Sequence, residues 1–429
     1  MIDRKQKISI SDFFIIMIFT VILFQNPLMK VSSVFRFVDE LLFMVSVVYI
    51  TGSIIKKGVL NRQYAKMFVV MALIIGLGIL SNSSSDVKRT SIMIILDIVF
   101  ILKDFICFIA AGMYFNERGF SKRRMNLLVG EVHLILWTAL ICMCISQVAD
   151  IGMTYKVRYG IKCFKFVYSN PGMWSQYCII FLLILTAELQ YKALTQKRIL
   201  YFSILIVVWL TSCRSRAFAT VALWIFLMVI GRKIKDVSEL DGTHVKKTIK
   251  GFMRPQYIAL AVAVVLLLGW SQIQEYFGDE AVTARSLLVK GGISIMRDYF
   301  PLGSGFGTFG TEVAANYYSP LYYKYGLNSF WALAEGGTEL VDCYWPAIAA
   351  ELGLFGIILM LLLIVLFIKK FVRDAKGKKY YLIVALTYSA YLLMSSTATA
   401  IFSSYITAGF IVIAMALINV ESEKQEGEY

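Results

Sequence analysis

Apolar runs long enough to cross about 30 Å of hydrocarbon recur along this 429-residue chain, and such runs constrain a fold more tightly than any short motif. In lipid every backbone N–H and C=O must find a partner within the protein, so runs of this kind are expected to be helices. Twelve are marked, at about 12–29, 37–55, 66–80, 91–114, 127–148, 169–189, 199–212, 215–231, 256–271, 346–368, 380–396 and 399–419. Composition agrees, with 59% hydrophobic and only 17% charged residues, against about a quarter charged in soluble proteins. The expected fold is an all-α polytopic integral membrane protein of about 12 transmembrane helices. The first run is itself long enough to span and no small-residue cleavage site follows it, so a cleavable signal peptide is not expected.

The net charge of +15 does not point to nucleic acid, because the basic residues sit in short loops between apolar runs, where they set orientation. With the N-terminus inside, Lys and Arg favour the cytoplasmic segments roughly two to one, and both termini come out cytoplasmic. The chain then divides into 1–271, a bundle of helices 1–9; 272–345, one large extracytoplasmic loop between helices 9 and 10; 346–419, helices 10–12; and 420–429, a cytoplasmic tail. The polar break Thr211-Ser-Cys-Arg-Ser-Arg216 separates helices 7 and 8 and faces outward with the loop. No internal repeat of the transporter kind is evident.

The seven cysteines mostly lie in apolar segments and read as small core residues rather than a disulfide framework. Cys163 and Cys343 fall on the same side of the membrane, but no pairing is expected. With two histidines in the chain, a His-based zinc site is not expected, and no metal or cofactor is called for.

The loop concentrates the candidate chemistry. Arg214 and Arg216 stand at an outward helix start, where a helix N-terminus favours anions and an arginine fork matches phosphate oxygens; interfacial anchoring is the plainer alternative. Arg285, Lys290 and Arg297 lie in an amphipathic piece over 280–299, whose Val282, Leu287, Leu288, Ile293, Ile295 and Met296 suit an interfacial helix weakened by Gly291-Gly292. Gly303, Gly305, Gly307 and Gly310 include a formal G-x-G-x-x-G. Without a βαβ context this is not a dinucleotide site, but a tight loop whose amides approach something closely. Tyr317, Tyr318, Tyr322, Tyr323 and Trp331 are rings with polar tips, suited to the membrane interface or to a sugar face. Glu335, Glu339 and Asp342 precede Pro346, and Glu351 lies inside the next span, where a carboxylate is a functional candidate by default. Asp97 and Asp104, with Lys103, read as pairing within the bundle, and His133 as a buried hydrogen-bonding group.

Several pieces in this order resemble the bacterial O-antigen polymerase and O-antigen ligase superfamily. They are Asn170-Pro171-Gly172; the 211–216 break; Arg285 ahead of Pro301-Leu-Gly-Ser-Gly-Phe-Gly-Thr-Phe-Gly310; and Asp342-Cys-Tyr-Trp-Pro346 running into Glu351 and Gly353. The resemblance covers roughly residues 165–365. It implies a metal-independent, GT-C-like glycosyltransferase without cofactor. Such an enzyme takes glycan from an undecaprenyl-diphosphate-linked oligosaccharide at the outer face of the bacterial cytoplasmic (inner or plasma) membrane.

Carried over by position, Arg216 and Arg285 bind the diphosphate, with Arg214 beside them. The ligases place a histidine before the tenth span; here Asp342 stands instead. That departure favours a repeat-unit polymerase of O-antigen, capsule or exopolysaccharide over a ligase. Asp342 is the expected base, with Glu351 and Glu339 in reserve. Pathway partners would include a chain-length regulator and a flippase. The alternatives are an O-antigen-ligase-like transferase to another acceptor and a polysaccharide-unit flippase or transporter.

Overall fold

The computed structural model describes residues 10–58, 60–233, 282–375 and 377–421. The expected ninth span, the 231–255 segment beyond Lys233, the start of the loop and residues 422–429 of the C-terminal tail lie outside them. The described chain is dominated by helices, with 74% helix overall.

The first expected span is broken. α1 (Ile10–Leu23) and α2 (Gln25–Val31) meet at 79°. Asn26 in α2 explains why the bend holds. Its carbonyl oxygen accepts from the Ser169 backbone N–H at 2.9 Å and its amide donates to the Tyr405 hydroxyl at 2.7 Å. Three distant segments are thus fastened at one buried side chain.

α3 (Val38–Lys57), α4 (Arg62–Ser84), α5 (Ser91–Arg118) and α6 (Lys122–Val148) follow as long helices. α7 (Pro171–Glu188) is buried along nearly its whole length and packs against α6, α8 (Gln196–Leu210) and later helices. Asn170 caps α7 by accepting from the Met173 N–H at 2.9 Å, with Pro171 in the first turn, where its missing N–H costs nothing. The polar break falls where the sequence puts it: α8 ends at Leu210 and α9 (Ser215–Lys233) begins after a short turn.

α10 (Ala284–Asp298) opens on a reciprocal capping box between Thr283 and Ser286. Two single-turn helices, α11 (Glu312–Asn316) and α12 (Pro320–Lys324), lead to α13 (Tyr344–Asp374), α14 (Lys379–Ser396) and α15 (Thr407–Leu417). The last expected span, 399–419, is therefore an 11-residue helix preceded by irregular chain.

Among the described residues four helices, α4, α6, α13 and the α3 run from Ser33, are long and apolar enough to cross a membrane, or five if the bent α1–α2 pair is one span. This is an α-helical membrane protein. Two small strand pairs were not anticipated. β1 (Phe120–Ser121) pairs in parallel with β4 (Val420–Glu421), and β2 (Thr154–Arg158) forms a hairpin with β3 (Ile161–Phe164).

The expected interfacial helix buries part of its apolar face in the protein: Leu288 and Ile295 lie in a second core with Phe309, Tyr322 and Leu333, while Val282 and Ile293 stay exposed. Its glycines are not a weakness but the contact surface. A Cβ on Gly292 would come within 2.8 Å of the Pro346 carbonyl oxygen, so only glycine lets α10 approach the start of α13 this closely.

Candidate active site

Three of the sequence motifs converge at one end of the bundle. Arg216, in the first turn of α9, points its guanidinium at the start of α7 and at the chain after α14. Its Nη2 lies 3.4 Å from the Gly172 carbonyl oxygen and its Nη1 3.4 Å from Thr399 Oγ1. A Cβ at Gly172 would sit 3.1 Å from Nη2, which is why the Asn170-Pro171-Gly172 sequence suits this position. These contacts are long, so the fork retains capacity for an anion.

Arg214 is half-buried, and its guanidinium is pushed below its ordinary range. Burial is the main cause, followed by the charges of Arg216 and Arg158, with Arg285 further contributing. Guanidiniums from the β2–β3 hairpin, the start of α9 and α10 therefore act on Arg214 in the turn before α9. Arg158 was missed at the sequence level, since Lys156 and Lys162 around it make it look like any basic loop residue.

Arg285 is not isolated. Its Nε donates to Asp342 Oδ2 at 2.6 Å, both side chains being about a quarter exposed. The expected phosphate ligand and the expected base are thus paired to each other. Glu339 is half-buried three residues earlier, and its main chain accepts from the Asp342 N–H.

Glu351 is placed differently. It is fully buried, and Oε1 accepts from the Thr308 and Phe309 amides at 2.7 and 2.9 Å and from Thr311 Oγ1 at 3.3 Å. It anchors the glycine loop instead of facing a substrate. The loop amides that the sequence offers to a ligand are taken by the protein itself. The Gly307 N–H donates to Asp97 Oδ2 at 2.9 Å, Phe306 exchanges two hydrogen bonds with the Asn82 side chain, and the Gly310 N–H donates to the Tyr322 hydroxyl.

The loop also threads the broken turn of α13. Ser304 and Gly305 N–H groups donate to the Ala350 and Glu351 carbonyls, and Leu354 N–H donates to Pro301 O. Gly353 breaks the helix there with φ 62°, and a Cβ on it would meet Pro301 O at 2.3 Å.

Asp97 is not the partner of Lys103, whereas Asp104 lies in its field. Lys103 forms a buried ion pair with Asp39 of α3, while Asp97 holds the loop. Beside the loop, Arg89 donates to Tyr317 O at 3.1 Å and lies in the field of Glu351 and Asp97; it too was missed. His133 stacks on Tyr201, with ring centroids 3.4 Å apart, and Nε2 has no hydrogen-bond partner.

The five aromatic candidates divide. Tyr322 is buried, and Tyr318 is half-buried with its hydroxyl on Leu333 O. Tyr317, Tyr323 and Trp331 are exposed, at 47%, 56% and 75%. Only these three present rings to an external ligand.

Two cavities lie away from the arginines. One of about 420 Å³ is an apolar groove between α3, α4 and α5, and one of about 240 Å³ is a cleft at His133 and Glu188. Among the described residues no group of three or more His, Cys, Asp or Glu side chains forms a metal site. No protein-family model and no curated protein matches the chain.

Proposed function

We propose that this protein is a metal-independent, GT-C-like polymerase of about 12 spans acting on lipid-linked oligosaccharide repeat units at the outer face of the bacterial cytoplasmic membrane. It transfers glycan from undecaprenyl diphosphate to an acceptor sugar hydroxyl, with both termini in the cytoplasm. The observation that carries this reading is the meeting of Arg214 and Arg216 at Gly172, at 3.9 and 3.1 Å from a Cβ built there, with Arg158 and Arg285 acting on Arg214 through their charge and Arg285 engaging the Asp342 carboxylate.

A diphosphate leaving group develops negative charge as the glycosidic bond breaks, and fixed guanidiniums stabilise that charge without reorganising. Arg285 gives the site a switch. A diphosphate that draws its guanidinium away frees Asp342 to accept the proton of the attacking hydroxyl. Glu339 is the remaining reserve, since burial removes Glu351 from reach of an acceptor. Tyr317, Tyr323 and Trp331 supply exposed rings for the glycan.

Reconstitution with purified lipid-linked repeat units tests the reading. A polymer ladder is expected. Units that cross the bilayer unchanged would instead establish the transporter alternative, for which the buried Lys103–Asp39 pair and the buried Asp104 are the supporting features.

A further inference from the structure

The larger of the two cavities follows from how the first long helices pack. α3 rests chiefly on α5 and α4 chiefly on α13, so α3 and α4, though consecutive, scarcely approach each other. The groove of about 420 Å³ lies in the gap between them. Its walls are Val47, Thr51 and Ile54 of α3, Ala65 and Phe68 of α4, and Ile106 of α5. It opens sideways, with Val47 and Ile54 exposed on a helix apolar enough to span a membrane.

The depth of the groove matches one leaflet. Val47 stands ten residues before the last residue of α3, Lys57, about 15 Å at the rise of an α-helix. That is half of the roughly 30 Å hydrocarbon core, so the slot runs from one membrane surface to the midplane. An apolar slot opening on lipid offers water no polar partners. Left empty it would forfeit the dispersion contacts of its walls, so hydrocarbon fills it.

The membrane-surface end is basic. Lys56 and Lys57 end α3, and Arg62 and Lys66 stand in the first turns of α4. Lys57 is engaged by Glu117. Lys56, Arg62 and Lys66 are exposed and, among the described residues, have no ion-pair or hydrogen-bond partner. Cations at a membrane surface attract anionic headgroups. A zwitterionic head carries its own ammonium beside the phosphate, which these side chains repel.

We propose that the groove is a binding site for one anionic phospholipid, with an acyl chain lying between α3 and α4 and the phosphate at Lys56 and Arg62. The chain takes the place of the helix–helix contact that α3 and α4 do not make. The site depends on neither the orientation of the protein nor its reaction.

Native mass spectrometry of the full chain, released from nanodiscs of equal phosphatidylglycerol and phosphatidylethanolamine, reads the bound lipid. One phosphatidylglycerol per chain is expected to remain after looser lipids are stripped. Thr51→Trp, which fills the groove with an indole, should lose it. Leu80→Trp, the same change at an exposed position of α4 outside the groove, should keep it. Lys56→Gln combined with Arg62→Gln should still retain a lipid but lose a severalfold preference for phosphatidylglycerol.

A wild type stripped of all lipid, or equal retention by Thr51→Trp and Leu80→Trp, would overturn the site. Equal retention of the two lipids by the wild type would overturn the anionic head. Where Thr51→Trp does not fold, the wild type decides. Phosphatidylglycerol carrying a diazirine in its acyl chain should mark residues 47–54 and 60–68 several times more strongly than the exposed α6 positions Leu134, Ile141 and Ile145; uniform labelling would refute the proposal.

Discussion

Arg216 and Arg285 are the side chains on which the proposed chemistry stands or falls. Replacing either with Ala should cut polymer formation by about 10²–10³-fold, the range for losing one preorganised charge-stabilising group, while the protein stays in the membrane. Arg216→Lys should not restore activity, because an ammonium lacks the two-pronged geometry that meets Gly172 and Thr399. Quantifying chain-length ladders alongside membrane protein levels checks both. Asp342→Asn should abolish turnover yet retain donor binding, and an unimpaired Asn variant would pass the role of base to Glu339. Arg216 was legible in the sequence because charge at a helix start read as outward runs against the usual distribution, and Arg285 through the order of motifs around it. Asp342 was legible by position, but its pairing with Arg285 was not, since the two lie 57 residues apart. Glu351 was legible as unusual and misjudged in role, because a carboxylate that anchors amides and one that awaits a substrate look the same in a sequence.

The glycine loop is the element whose function the fold changes most. Its pattern predicts open amides, yet Glu351, Asp97, Asn82 and Tyr322 occupy them. Glu351→Ala would strand two buried N–H groups, at about 1–3 kcal/mol each, and should lower unfolding stability in detergent by about 2–5 kcal/mol. Glu351→Gln keeps an acceptor oxygen and should lose much less. Equal losses in the two variants would contradict the anchoring role.

A second tie joins the loop to the turn before α5. The Asp86 carboxylate accepts from the Tyr299 hydroxyl and, at 3.2 Å, from Lys324 Nζ. The Tyr299 hydrogen bond, with help from Lys324, holds Asp86 below its ordinary value of 3.8. Its folded value is depressed, so the tie is fully present above that ordinary value and is lost as pH falls through the lower folded one. Hydrogen-exchange protection in residues 299–325, corrected for the intrinsic rate at each pH, should fall on acidification in wild type, and Asp86→Asn should show the lower protection already at neutral pH. The β2–β3 hairpin had no legible signal, because short exposed strands among Tyr155, Lys156 and Tyr159 carry no core pattern.

For the molecule as a whole, apolar periodicity was a good guide to the existence of helices and a poor one to their straightness. The bend at Phe24 depends on Asn26, Ser169 and Tyr405 meeting in space, and the break at Gly353 on a loop that returns from another part of the chain. Neither can be computed from a window of hydropathy. The proposed orientation predicts that a cysteine substituted at Tyr159, in the hairpin, reacts with a membrane-impermeant maleimide in intact cells, and that one at Lys56 reacts only after lysis. The reverse pattern would invert the topology and place the arginines on the nucleotide side.

The threading of the glycine loop through α13 also sets an order of manufacture. Asn82 and Asp97 leave the ribosome long before the loop does, but Glu351 follows Thr308 by 43 residues. At cellular synthesis rates that interval is about 2–9 s. During it the loop is held by its earlier partners alone, with the Thr308 and Phe309 amides unfastened. A chain halted just before Tyr344 would leave this segment unfastened, so the arrival of α13 is the event that closes the glycine loop.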